Sequence, residues 1–271
     1  MTKMRDSRVL RKLRAGKTAS CLKLNIGDGQ AAEIASMAGF DCLWIDREHL
    51  AQDWSVLNSQ IWATKCHDTD VMVRVSRGSY SDYIKPLEMD ATGIMVPHVM
   101  SADDAKQVVK WTRFHPQGLR PIDGGSADGG YTRHDFAAYL QHANEQRFIV
   151  LQIEDVEALN DINAIAAVPG YDMLFFGPGD FSQSIGAPGD WNNPKLLEAR
   201  KLVAKAARDH GKFAATSGGI GMLEEFLEMG YQFVNVGADV VGLGQYCDGI
   251  LQKFHAASPA SNSSKQPGKP Y

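Results

Sequence analysis

The chain has 271 residues, 44% of them hydrophobic and 22% charged, and no run approaches the roughly 18 consecutive apolar residues of a membrane span. A formal net charge of -4 with no cluster of Lys and Arg excludes an extended nucleic-acid surface, because neutralising phosphates requires basic residues on one face. Cys21, Cys42, Cys66 and Cys247 are widely and irregularly spaced with no CxxC pair, so they read as reduced structural thiols.

Residues 1–17 are basic but lack the apolar core of a secretory signal, which makes the cytoplasm the expected location. Short runs rich in Val, Ile, Leu and Phe then alternate with longer stretches of helical period, the pattern of βα units around a parallel sheet. Strands are predicted at 19–24, 42–46, 71–76, 93–99, 148–154, 173–176, 213–216 and 233–236. Helices are predicted between them, among others at 31–38, 53–64, 102–112, 156–167, 194–210 and 222–229. Ser101 and Asn193 stand at helix starts, and Gly39, Gly170, Gly211 and Gly230 stand where helices end. Eight units in a chain of this length predict a single (β/α)8 TIM barrel over residues 1–257. One connection is longer than the rest: 115–146 holds five glycines and a short helix at 135–144, as lids and subunit contacts often do. From 258 to 271 the composition is Ser, Pro, Asn, Lys and Gln without period, which predicts a disordered tail.

Barrel active sites form at the C-terminal ends of the strands, and polar residues collect there. After the second strand comes Asp46-Arg47-Glu48-His49, in which Asp46 could orient His49 as a general base, although Asp and His at this spacing also coincide by chance. Arg74 is embedded in the apolar third strand and needs an anion, either a substrate group or a structural partner. The fifth strand, Leu151-Gln152-Ile153-Glu154, puts Gln152 and Glu154 on one face by its period of two. Asp180 follows the neighbouring strand in Gly177-Pro178-Gly179-Asp180, and strands lie about 4.8 Å apart, so Glu154 and Asp180 can share a hard cation completed by water. Either acid alone would read as a loop cap or salt bridge.

Rival chemistries remain open at this point. Lys23 on the first strand could form a Schiff base, or could point outward into solvent. Ser217-Gly218-Gly219 and Gly237-Ala238 resemble loops that cradle phosphate in other barrels, or are ordinary turns.

The Asp46-Arg47-Glu48-His49 turn, Val73-Arg74-Val75, Gly118-Leu119-Arg120, Gln152-Ile153-Glu154 and Phe176-Gly177-Pro178-Gly179-Asp180-Phe181-Ser182 occur in one order along the chain. Together they resemble the metal-dependent pyruvate aldolases of the HpcH/HpaI family over residues 8–256. The resemblance implies a carbon–carbon lyase that acts on a 2-oxo acid and an aldehyde through a pyruvate enolate. Glu154 and Asp180 would hold Mg, Mn or Co, and Arg74 would stabilise the enolate. His49 would act as base with Asp46 as its partner, and Gln152 would adjoin the pyruvate. The N–H groups of Gly179 and Asp180 would receive the pyruvate carboxylate. It further implies a hexamer that exchanges its last helix. Lys23, Glu88 and Pro121 depart from the family pattern, which leaves the outer part of the substrate pocket open. An acyl-CoA lyase of the same superfamily is the nearest rival.

Overall fold

In the computed structural model, which describes residues 4–258, eight short apolar runs become eight parallel strands. They are β1 (Ala19–Leu24), β2 (Cys42–Asp46), β3 (Asp70–Arg74), β4 (Gly93–Val96), β5 (Phe148–Ile153), β6 (Met173–Phe176), β7 (Phe213–Ser217) and β8 (Tyr231–Ala238). Each pairs with the next in sequence, and β8 pairs with β1 to close a (β/α)8 barrel. Runs this apolar form strands because both faces are buried, one in the barrel and one under the helices. β4 stops at Val96, short of the predicted 99, because Pro97 has no N–H for the ladder. β8 begins earlier and ends later than predicted. Most of the tail expected at 258–271 lies outside the described residues.

The helices are α1 (Arg8–Arg14), α2 (Gly29–Met37), α3 (Trp54–Lys65), α4 (Tyr80–Glu88), α5 (Ala102–Thr112), α6 (Phe136–Gln146), α7 (Ile162–Ala167), α8 (Pro178–Ser184), α9 (Pro194–Asp209), α10 (Leu223–Glu228) and α11 (Asp239–Ala257). α5 starts where the Ser101 side chain accepts the Asp104 N–H, and α9 where the Asn193 side chain accepts the Lys195 N–H. All four predicted terminating glycines have positive φ. The helix expected over 156–167 divides into a 3-10 turn, Val156–Asp161, followed by α7. α4 contains Pro86, which hides it from a reading by helical period. None of the helices among the described residues is long and apolar enough to cross a membrane.

Packing decides which end of the barrel opens. Val9, Leu10 and Leu13 of α1 join Met72, Phe148, Met173, Phe175 and Phe233 in one buried cluster that fills the interior from the N-terminal end. Gly93 makes room for this stack, since a Cβ there would meet the Phe148 ring at 2.2 Å. Fully burying one such side chain stabilises the fold by about 1.5–3 kcal/mol. With one end filled, polar side chains of the same inward set reach solvent only at the C-terminal ends of the strands. The long 115–146 connection leads from α5 back to the start of β5, so it lies at the opposite, N-terminal end, where it is pinned by a buried pair, Arg120 Nη2 to Asp128 Oδ2 at 2.7 Å, with the Tyr139 hydroxyl donating to the same oxygen.

Candidate active site

Asp46 and Arg74 are register partners at the ends of β2 and β3, so their side chains project inward together. Both are buried. Arg74 Nε donates to Asp46 Oδ1 at 3.0 Å, Nη2 donates to Oδ2, and Nε also lies 3.1 Å from Glu48 Oε2. No hydrogen bond from Nη1 to the protein is present among the described residues. The guanidinium is therefore fixed along one edge and open along the other. Lys23 also points inward, with Nζ 2.9 Å from Asp46 Oδ2 and 4.9 Å from the Trp44 ring centre. Burial raises the proton affinity of Asp46, but Arg74 and then Lys23 outweigh it and hold the carboxyl well below the usual range. Lys23 is thus neither the outward side chain nor the free amine considered above, because its ammonium is committed to Asp46.

The expected Asp46–His49 pair takes a different form. Asp46 Oδ1 accepts the backbone N–H of Glu48 at 3.0 Å and that of His49 at 3.4 Å, which shapes the turn without touching the imidazole. The His49 side chain is 56% exposed, and its Nε2 lies 3.6 Å from Glu48 Oε2. Asp46 cannot serve both needs, since Arg74 and Lys23 already occupy its oxygens. His49 stands at the rim of the opening while Asp46 lies beneath it.

Glu154, just past the end of β5, has no solvent exposure. Its Oε1 accepts the His98 N–H at 2.9 Å and its Oε2 accepts from Gln152 Nε2. Burial, with the negative charge of Asp180 adding to it, pushes the Glu154 carboxyl up to about 7 against the opposing pull of His98 and Arg74. Gly177 makes this approach possible: a Cβ there would sit 2.6 Å from Glu154 Oε2. Beyond it the chain enters α8, whose first backbone bond to an earlier residue runs from the Phe181 N–H to the Gly177 carbonyl at 3.2 Å. The N–H groups of Gly179 and Asp180 precede that bond and have no intrahelical partner.

Two residues without an assigned role in the sequence also belong to the site. His98, at a positive φ of 51° after Pro97, places Nδ1 2.9 Å from Asp155 Oδ2 and Nε2 3.6 Å from Glu48 Oε1. Asp155, Glu154 and Glu48 together raise its proton affinity despite burial. Glu48 links His98 to Arg74. The available signal was weak: a polar residue just after the fourth strand, and an acid inside a turn already singled out.

The donor set is compatible with a hard divalent cation. Glu154 and Asp180 offer carboxylate oxygens, and Glu154 is buried with the negative charge of Asp180 acting on it. Among the described residues no group of three or more His, Cys, Asp or Glu is arranged to hold a metal, so such an ion would depend on two carboxylates and on water or substrate.

Residues 24–244 match the model of the HpcH/HpaI aldolase/citrate lyase family. The chain belongs to that family. A hydroxypyruvate/pyruvate aldolase of Pseudomonas aeruginosa is 33% identical over 260 residues, covering 95% of this chain and 96% of that protein. A 4-hydroxy-2-oxo-heptane-1,7-dioate aldolase of Escherichia coli is 32% identical, covering 92% and 95%. The crystal structure of an HpcH/HpaI aldolase from Desulfitobacterium hafniense superposes with a TM-score of 0.87 at 27% identity, over 96% of this chain and 99% of that one. As an HpcH/HpaI protein, this chain is a carbon–carbon lyase of the aldolase kind.

Proposed function

We propose that this HpcH/HpaI enzyme is a divalent-metal-dependent pyruvate aldolase that cleaves or forms 4-hydroxy-2-oxo acids by way of the pyruvate enolate. The observation that carries the reading is the buried Glu154 carboxyl, crowded by Asp180 and facing the guanidinium of Arg74. The pyruvate and oxo-acid aldolases among its relatives support it.

Glu154 and Asp180 would hold the ion, Mg, Mn or Co, with Gln152 fixing the orientation of Glu154. When bound, the ion supplies Lewis acidity toward the 2-oxo group. The free N–H groups of Gly179 and Asp180 receive the carboxylate of the oxo acid. Arg74 directs its open Nη1 edge at the oxygen on which enolate charge develops, and Asp46 keeps that edge in place. His49 at the rim accepts the proton of the 4-hydroxyl as the carbon–carbon bond breaks, and the aldehyde leaves toward solvent.

The reading includes a homo-oligomer with exchange of the last helix, up to the hexamer the resemblance implies. No residue of α11 is buried, although Val241, Leu243, Tyr246, Leu251 and Phe254 are large and apolar. Ile34 and Met37 on α2, and Leu227 on α10, are likewise exposed. A lone chain would leave these surfaces wet, and a patch of this kind marks a contact between proteins.

The test is pyruvate release from a 4-hydroxy-2-oxo acid by protein stripped with chelator, with and without added Mg, Mn or Co. Activity should disappear on stripping and return with the ion. Full activity after exhaustive chelation would overturn the proposal.

A further inference from the structure

Five arginines are deeply buried among the described residues, and four of them are paired. Arg74 meets Asp46, Arg113 meets Asp172, Arg120 meets Asp128 and Arg147 meets Asp90. Arg200 on α9 is the exception. It is 2% exposed, its Nε and Nη1 are buried without a hydrogen-bond partner, and no carboxylate lies within ion-pair distance among the described residues. Its guanidinium is held by the Phe226 ring at 5.0 Å and the Phe176 ring at 5.8 Å. Burial lowers its proton affinity, yet a guanidinium starts so high that it stays charged at neutral pH. The Glu225 carboxylate acts on it through space without forming an ion pair, and a guanidinium so weakly countered at this depth is unfavourable unless an anion joins it.

Arg200 is among the residues lining a cavity of about 350 Å³ at the C-terminal ends of β6 and β7, and Nη2 is its one guanidinium nitrogen not sealed from solvent. Pro178, Gly179, Trp191, Ser217, Gly219 and Met222 also line it. Ser217 brings a hydroxyl, and Gly219 leaves open space around its Cα. Gly218 has to be glycine for the loop to close over Phe226, since a Cβ there would meet that ring at 2.6 Å. The ring that holds Arg200 and the loop that covers it are therefore fitted to each other. Gly179, whose N–H the proposed reaction uses, also borders this cavity, so the cavity adjoins the aldolase site.

We infer that this cavity is a binding subsite for a small oxyanion, a carboxylate or phosphate group, with Arg200 as its cationic base and Ser217 as a second donor. Nothing in the assignment of Glu154, Arg74 or His49 requires such a site, and the inference concerns binding, so it stands independently of the aldol reading. The anion comes from one of two sources: an acidic group carried by the substrate, or a free anion bound beside it.

The experiment titrates inorganic phosphate and succinate into metal-stripped protein in chloride buffer, with calorimetry and thermal melting as readouts. Wild type should bind at least one of them saturably, Arg200→Met should bind at least tenfold more weakly, and Arg200→Lys should fall between. Without ligand, Arg200→Met should melt no lower than wild type, because methionine fills the space and removes an unpaired charge. No saturable binding to wild type, or equal binding to Arg200→Met, would overturn the inference. Should Arg200→Met fail to fold, wild type and Arg200→Lys still decide it. A kinetic arm compares succinic semialdehyde with butanal as partners of pyruvate. A selective loss of tenfold or more for the acidic aldehyde in the Arg200 variants assigns the anion to the substrate. Unchanged preference alongside lost phosphate binding assigns it to a free anion. Failure of all aldol activity would count against the proposed reaction and leave the binding result standing.

Discussion

Asp46 grips Arg74 along one edge, at Nε and Nη2, and leaves Nη1 of the buried guanidinium without a hydrogen bond among the described residues. Lysine can keep the charge at that position but not the fork of donors. Arg74→Lys should therefore lose at least about tenfold in turnover, equivalent to about 1.4 kcal/mol of transition-state stabilisation. Steady-state kinetics beside a circular-dichroism spectrum checks this, and wild-type turnover would make the arginine structural.

Asp46→Asn removes the counter-charge shared by Arg74 and Lys23. Breaking a buried pair from one side costs about 3–5 kcal/mol, so the variant should melt well below wild type. Because the native state holds this carboxyl below its ordinary range, its stabilisation is present above the unfolded-chain pKa near 3.9 and is lost as pH falls through the native value. The melting difference between wild type and Asp46→Asn should shrink as pH is lowered below about 4.

Glu154 runs the opposite way. In metal-free protein its carboxyl ionises near 7, against 4.5 in an unperturbed chain, so between those values the unfolded state releases a proton that the native state keeps. Wild type should lose stability relative to Glu154→Gln as pH rises from about 4.5 to about 7, by on the order of 3 kcal/mol at most. A divalent cation should restore stability to wild type and not to Glu154→Gln. Melting curves at several pH values, with and without the ion, test both statements.

His49→Ala should abolish aldol cleavage while retaining much of any oxaloacetate decarboxylation, because carbon dioxide leaves without removal of a hydroxyl proton. Since Asp46 serves Arg74 rather than the His49 ring, Asp46→Asn should lose both reactions, as Arg74 variants do. Paired assays at saturating metal separate the two patterns. An Asp46→Asn that copied His49→Ala would restore the Asp–His pair suggested by the sequence.

Gly177→Ala places a methyl 2.6 Å from Glu154 Oε2 and 2.8 Å from Gln152 Nε2. The barrel should still fold, at a cost of about 1–3 kcal/mol from overpacking. Displacing a ligand's support commonly weakens metal affinity about 10–100-fold, and titration with Mn read by activity or by electron paramagnetic resonance measures it.

The eight apolar runs, the glycines that end helices, and the placement of Gln152 and Glu154 on one face were legible in the sequence, because each depends only on neighbours a few residues away. Polar residues at strand ends could be recognised for the same reason. α4 was hidden by Pro86, whose effect on a helix depends on what packs around it: Tyr83, Ile84 and Leu87 are buried and hold the element together. Partnership at the site was not legible either. Sequence spacing favoured Asp46 with His49, but the register between β2 and β3 delivers Arg74 to the same carboxylate, and a buried charge in contact outcompetes a ring that solvent can hydrate. His98 enters through a left-handed turn after β4, and Arg200 is left unpaired because α9 lays it against Phe176 and Phe226, away from any acid within ion-pair reach. Local period and turn chemistry thus determined the barrel and the rim on which chemistry sits. Long-range register and burial decided which charges meet, since electrostatic pairing acts through space and the chain order does not encode it directly.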